Sequence, residues 1–156
     1  MLKRGSDLGL EPHILEVECD DYAELLDRDG EIDNERLLAL VTRLLLEKAL
    51  ALAAREQPRG RAVVLYGGAL HNELEPQADL ARFSFAPRLQ AALGGRYLQV
   101  TLLVPEIVEA DATARDEPWF DCLALAGADR ALLLERSPSA RFLVFPRTAR
   151  AAAGRR

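Results

Sequence analysis

The sequence predicts an α/β fold: a small, partly parallel sheet with a βαβ crossover, flanking helices and a C-terminal antiparallel hairpin. Three observations lead to this prediction. A strand, a helix and a strand follow one another over residues 61–104, which makes the two strands parallel and their connection right-handed. A long apolar helix precedes them, and two further short strands near the C-terminus are separated by a single turn.

Length and composition set the class of protein. At 156 residues the chain fits one domain, which we place at residues 1–147, followed by an Ala/Arg-rich tail at 148–156 that is expected to fray. Hydrophobic residues make up 49% and charged residues 29%, so a wholly disordered chain is excluded. With 20 basic residues against 25 acidic ones the net charge is −5, which argues against a general nucleic-acid-binding protein.

The sequence also predicts a cytoplasmic protein without a membrane span. Its first residues lack the continuous apolar segment of a secretory signal. Its most apolar stretch, Leu37 to Ala54, is interrupted by polar and charged residues, whereas a membrane-spanning helix needs about 18 or more apolar residues in a row. Cys19 and Cys122 form no CxxC pair, so neither a zinc ribbon nor a disulfide framework is indicated, and both are expected to stay reduced.

The long helix has a clear predicted start. Asp33 is a suitable N-cap, and Ile32 and Leu37 occupy the positions of a hydrophobic staple around it. The helix should run to about Arg55, where the loop from Pro58 to Gly60 ends it. Its leucines cover more than one stripe, which is a larger apolar surface than a monomer usually exposes. We therefore expect the chain to form a homo-oligomer or to bind a protein partner.

The later elements are predicted from shorter patterns. Residues 61–66 form a β-branched run typical of a buried strand, and residues 85–93 form a helix stopped by Gly94 and Gly95. Residues 97–104 make the second strand of the crossover. The hairpin strands lie at residues 131–135 and 141–145.

The candidate site lies in the loop after the first predicted strand, where Gly67 and Gly68 precede His71. Ligands collect outside the carboxyl ends of parallel strands, and paired glycines let a backbone approach a ligand or take a positive φ. An imidazole at this edge can ligate haem, bind a metal together with Glu73 and Glu75, or transfer a proton. The alternative is a buried, hydrogen-bonded structural histidine. The glycines do not form a GxGxxG or Walker pattern, so a nucleotide site is not expected.

A second acidic residue is expected to join this site. Glu106 comes directly after the second predicted strand, and the carboxyl ends of neighbouring parallel strands meet at one edge of a sheet. His71 and Glu106 would then act as a catalytic pair, a general base and the residue that orients it, or they would share a metal. The alternative is that Pro105 stops the strand and Glu106 caps the next segment of the chain.

The order of these motifs resembles the C-terminal half of the ChaN, erythromycin-esterase and TraB/Tiki group of haem-binding or hydrolytic α/β domains. In that group a long helix leads into a hydrophobic strand, a Gly-x-x-His motif, a helix and another strand. Here the motif is Gly68-Ala69-Leu70-His71, and the resemblance covers residues 34–106. It implies a role for Gly68 and His71 in the site.

The resemblance does not extend to the N-terminal half. Members of the group carry a first strand that ends in a Gly/Glu/His motif, and nothing before His71 has that form; His13 lacks the glycine and the preceding apolar run. Two hypotheses are therefore open. The first is a ligand-binding domain for haem or a divalent metal with His71 as ligand or base. The second is a degenerate, non-catalytic subunit that acts through self-association or a protein partner.

Overall fold

The computed structural model describes residues 2–23, 25–117 and 119–148. Its internal contacts divide the chain into two compact units, Met1–Ala92 and Leu93–Arg156. Of the expected tail, only Thr148 belongs to the described residues, and 149–156 lie outside them.

The first unit is built from helices. They are α1 (Leu2–Asp7), α2 (Cys19–Ala23), α3 (Asn34–Glu56), α4 (Ala69–Asn72) and α5 (Ala86–Ala92), with short 3₁₀ helices at Gln57–Arg59 and Ala81–Phe83. Helix α3 packs against α5 and against the 3₁₀ helix Ala81–Phe83. The core of this unit includes Phe85, which is only 1% exposed. The predicted long helix and the helix stopped by Gly94 and Gly95 are confirmed.

The start of α3 is held by its predicted cap. The Asp33 carboxylate accepts hydrogen bonds from the backbone N–H groups of Glu35 and Arg36, at 2.9 and 3.2 Å. These are two of the four N–H groups that have no partner inside the helix. Helix α3 ends at Glu56, and the 3₁₀ helix that follows ends at Gly60, whose φ of 68° is a left-handed conformation in which a side chain would be strained.

This cap gives a first stability prediction. Asp33→Ala leaves the two N–H groups without their acceptor, so we expect the free energy of unfolding to fall by about 1 kcal/mol. Asp33→Asn keeps a side-chain oxygen at the cap and serves as the control. Urea unfolding followed by circular dichroism measures both variants. If alanine and asparagine have equal effects, the carboxylate is not acting as a cap.

The predicted strand over residues 61–66 is wrong. Residues 61–68 form neither helix nor strand, and the side chains of Val64 and Tyr66 are 84% and 75% exposed. A β-branched run favours a strand only when a neighbouring strand supplies hydrogen bonds and half-buries its side chains. The expectation rested on the local pattern, which carries no information about that partner.

The second unit contains the sheet. Its strands are β1 (Gln99–Leu103), β2 (Leu132–Ser137) and β3 (Ala140–Val144), in the order β1-β3-β2. Strand β3 pairs in parallel with β1 and antiparallel with β2. The α/β class, the partly parallel sheet and the C-terminal hairpin are therefore confirmed, although the parallel partner of β1 is β3 and not the segment 61–66.

The chain between β1 and β2 covers one face of this sheet. It forms helix α6 (Pro105–Val108) and the 3₁₀ helices Thr113–Asp116 and Phe120–Leu125. Leu123 and Ala126 pack with Leu103, Phe142 and Val144 into the core of the unit, and half-buried apolar side chains surround them: Val108, Trp119, Phe120, Leu132 and Leu134. Within the described chain, no helix combines the length and the apolar character needed to cross a membrane.

Candidate functional site

His71 lies in the short helix α4, and one nitrogen of its ring is held by the protein. Nδ1 is 2.9 Å from the carbonyl oxygen of Phe83 and 3.1 Å from the hydroxyl of Thr42. The backbone of His71 is fixed as well, because its carbonyl accepts from the N–H of Phe85 at 2.9 Å and from the hydroxyl of Ser84 at 3.1 Å. The half-buried imidazole is therefore locked between α3 and the segment that leads into α5.

These contacts determine the tautomer of a neutral His71. A carbonyl oxygen can only accept a hydrogen bond, so Nδ1 must carry the proton that it donates to Phe83. The lone pair of the neutral ring is then on Nε2. Histidines that ligate metals commonly donate one ring N–H to a carbonyl or carboxylate, which orients the ring for ligation through the other nitrogen.

Thr42 explains why the ring is held so firmly. This threonine is 1% exposed, and its hydroxyl lies 2.7 Å from the carbonyl of Leu38 and 2.8 Å from that of Phe83. The hydroxyl has a single proton, which it can donate to either of these two carbonyls. Its oxygen can at the same time accept a hydrogen bond from Nδ1 of His71. A buried polar group in a leucine-rich helix costs stability unless it is satisfied, and this network satisfies it.

The two glycines before His71 have different surroundings. A Cβ at Gly67 would lie 3.1 Å from the side-chain nitrogen Nδ2 of Asn72, whereas a Cβ at Gly68 would meet nothing within 4 Å. Gly68 has a φ of −67°, and its carbonyl accepts from the Asn72 side chain at 2.9 Å. Neither glycine is at a positive φ, so of the two roles considered for them only a close approach of the backbone to a ligand remains. The open space beside Gly68 still allows a ligand to approach the backbone.

The acidic residues that follow His71 belong to the same loop but have contacts of their own. The carbonyl of Glu73 accepts from the hydroxyl of Ser84 at 2.6 Å, and its carboxylate accepts from the N–H of Glu75 at 3.3 Å. Among the described residues, no group of three or more His, Cys, Asp or Glu side chains is placed to hold a metal ion. A metal site formed by His71, Glu73 and Glu75 stays a prediction.

Glu106 is engaged inside the second unit. It lies in α6, and its carboxylate accepts from the N–H and the hydroxyl of Thr148 at 2.7 and 3.2 Å. The hydrogen bond from the backbone of Thr148 is the main reason why the pKa of this carboxyl is lowered. The expected pairing with His71 rested on a strand at 61–66, which is not formed. The pairing therefore stays a prediction, and within its own unit Glu106 holds Thr148, in the chain that follows β3.

Sequence reasoning missed a charged cluster at the end of α3. Its centre is Glu56, which is buried and forms ion pairs with Arg55, with Arg59 at 3.5 Å and with Arg61 at 3.2 Å. The hydrogen bond from Arg55 outweighs burial and lowers the pKa of the Glu56 carboxyl. The signal in the sequence was three arginines within seven residues around a single glutamate.

The same arginines hold the N-terminal segment. Glu11 pairs with Arg55 at 3.3 Å and with Arg61 at 3.2 Å, and Nε2 of His13 lies 3.1 Å from Arg55. All of these side chains except Glu56 are partly or largely exposed. The cluster therefore connects residues 11–13 to the end of α3, and its charges of both signs are largely paired with one another.

The lowered pKa of Glu56 predicts a pH dependence. Because the folded pKa lies below the unfolded value, Glu56 stabilises the fold above the ordinary glutamate pKa, and this contribution disappears as the pH falls through the folded value. We expect Glu56→Gln to melt earlier than the parent at neutral pH and the difference to shrink in acid. Glu47→Gln, on the exposed face of the same helix, is the control. Equal pH profiles for the two variants would contradict this assignment.

Comparison with known proteins adds no relative. No family model, no curated protein and no solved structure matches this chain. The resemblance to the ChaN, erythromycin-esterase and TraB/Tiki group therefore stays a prediction that rests on the Gly-x-x-His motif.

Proposed function

We propose that this chain is a haem-binding domain in which Nε2 of His71 ligates the iron. The observation that carries the proposal is the fixed orientation of the ring. Nδ1 is occupied by Phe83 and Thr42, so a neutral imidazole offers its lone pair at Nε2. Among the described residues, no hydrogen bond or ion pair is formed at that nitrogen.

The donor set favours haem over a divalent metal ion. A protein site for a divalent metal needs three or four side-chain ligands, whereas haem brings four nitrogens of its own and needs a single axial imidazole. The described part of the chain places no three suitable side chains together, but it does orient one histidine. When bound, haem would supply a redox-active iron, and His71, oriented by Phe83 and Thr42, would hold that iron through Nε2.

The chain that precedes His71 in sequence has two features that would favour a haem ligand. A Cβ at Gly68 would meet nothing within 4 Å, and the residues Val64 and Tyr66 are exposed. Apolar groups favour contact with a flat macrocycle, and a small residue leaves room for its approach.

A spectroscopic titration tests the proposal. Haem added to the purified parent should produce the absorption band of a histidine-ligated haem with a stoichiometry near one per chain. Zinc binding to the parent and the metal content of the protein as purified are measured in parallel. Haem that remains spectrally free at a large excess of protein would overturn the proposal, and tight zinc binding without haem binding would favour the metal alternative.

A second property is favoured by a separate observation. We also propose that the chain self-associates, because the sheet face opposite its helical cover presents a row of three leucines, Leu102, Leu143 and Leu133. Leu102 and Leu133 are 44% and 64% exposed. Such a surface lowers its free energy by contact with another apolar surface. Analytical ultracentrifugation tests self-association directly: a monomer at every concentration up to high micromolar would overturn it.

A further inference from the structure

Among the described residues, no strand pairs with the outer edge of β1, and the hydrogen bonds of the sheet show which backbone groups face that edge. The N–H of Gln99 donates to the carbonyl of Ser139, and the carbonyl of Leu103 accepts from the N–H of Phe145. Successive residues of a strand direct their backbone groups to opposite sides. The N–H and C=O groups of Val100 and Leu102 therefore point away from β3, toward the outside of the sheet.

The two edges of this sheet are protected to different degrees. Strand β2 carries Glu135 and Arg136 and has a register irregularity between Glu135 and Ser137. Charges and bulges of this kind prevent another strand from pairing with an edge. Strand β1, with the sequence QVTLL, has no charge, no proline and an unbroken register with β3. It is the edge that is suited to pairing.

We propose that β1 pairs antiparallel with β1 of a second copy of this chain, across a twofold axis at Thr101. In that register Val100 lies opposite Leu102 of the other copy, and the four outward N–H groups and four outward C=O groups of the two strands come into position for four hydrogen bonds. The two Thr101 residues meet on the axis as a cross-strand pair, which is a favourable combination in sheets. A three-stranded sheet becomes a six-stranded one.

The side chains fit the same arrangement. Rotation about an axis perpendicular to the sheet keeps the helical covers of both copies on one side, so the exposed leucine rows lie on the other. In the combined sheet, Leu102 of one copy lies beside Val100 of the other, so pairing covers the ends of the two leucine rows that meet at β1 and leaves the rest of both rows exposed. The inference rests on the proposed self-association and names the edge through which it occurs.

A proline exchange tests the edge with a matched control. Leu102→Pro removes an outward N–H from β1 without removing a hydrogen bond to β3. Leu133→Pro is the equivalent change on the outer edge of β2. Leu133 lies opposite Leu143, whose backbone groups face β1, so the N–H of Leu133 makes no hydrogen bond to β3 and points away from it. We expect Leu102→Pro to weaken dimerisation by at least about ten-fold and Leu133→Pro to change it less than about two-fold. Circular dichroism checks that both variants are folded.

A crosslink provides a test that needs no destabilising exchange. Residues on the axis of such a pair have Cα atoms about 4.5 Å apart, within the range that a disulfide spans. With Cys19 and Cys122 replaced by serine, Thr101→Cys should form a covalent dimer on mild oxidation, and Leu133→Cys should not.

The outcomes separate the two claims. Loss of the dimer in Leu102→Pro alone, together with the crosslink at residue 101, supports pairing through β1. A parent dimer that persists in Leu102→Pro, or that gives no crosslink at residue 101, overturns the β1 interface but leaves self-association standing. A parent that is monomeric throughout overturns both.

Discussion

Replacing His71 by alanine is expected to abolish haem binding and to destabilise the fold moderately. The variant loses Nε2, the proposed ligand, so the absorption band of ligated haem should not form at concentrations that saturate the parent. It also leaves the Phe83 carbonyl and the Thr42 hydroxyl without a partner at Nδ1. We expect that loss to reduce the free energy of unfolding by about 1–3 kcal/mol. Haem titration and urea unfolding measure the two effects separately.

His71→Asn is the matched control for this experiment. The asparagine amide can donate to Phe83 in place of Nδ1, but it has no group in the position of Nε2. We expect this variant to recover most of the stability that alanine loses and still to bind no haem. Unchanged haem affinity in either variant would contradict ligation by His71. Equal destabilisation by both would show that a donor to the Phe83 carbonyl in the asparagine variant does not restore the stability that alanine loses.

Removing the buried hydroxyl of Thr42 is expected to lower the stability of the fold even when the size of the side chain is preserved. Thr42→Val keeps the shape of the side chain but cannot bond to Leu38, Phe83 or His71. Because the site is 1% exposed, water cannot replace the hydroxyl, and we expect a loss of about 1–3 kcal/mol in the free energy of unfolding. Urea unfolding measures this loss, with the dependence of the free energy of unfolding on urea concentration fitted to one common value for parent and variant.

Thr42→Ser tests whether the hydroxyl or the methyl group matters. Serine keeps the hydrogen bonds and loses one buried methyl group, so we expect a loss of about 1 kcal/mol or less. Haem affinity should fall in Thr42→Val and stay close to that of the parent in Thr42→Ser, because only valine removes a restraint on the imidazole. A valine variant as stable as the parent would show that the hydroxyl is not part of an essential network.

The parts of the fold that depend on local sequence were predictable. The Asp33 cap was predictable because a carboxylate directly before an apolar helical run is a local signal. Gly60, which ends the 3₁₀ helix after α3, is an equally local signal. The hairpin is likewise encoded by two short strands around one turn. Residues 61–66 show the opposite case, since a strand needs a partner elsewhere in the chain and a β-branched run does not identify it.

The candidate site was predictable at one residue and not at its partners. His71 was identified from the motif around it, but Thr42 is 29 residues away in sequence, and the Phe83 carbonyl is a backbone group that no side-chain pattern reveals. A single threonine among the leucines of α3 was the available signal. The expected pairing of His71 with Glu106 stays a prediction, although the strand at residues 61–66 on which it was based is not formed.

The ring nitrogens of His71 provide the most direct test of haem ligation, through a ¹⁵N–¹H NMR spectrum recorded before and after addition of haem. The chain has only two histidines, so His71→Asn assigns the signals unambiguously. When the ring is neutral, we expect its proton on Nδ1 and none on Nε2 in the haem-free protein. On haem addition we expect a large change of the His71 signals while those of His13 persist. A neutral ring with its proton on Nε2, or His71 signals that stay unchanged when haem is added, would contradict ligation through Nε2.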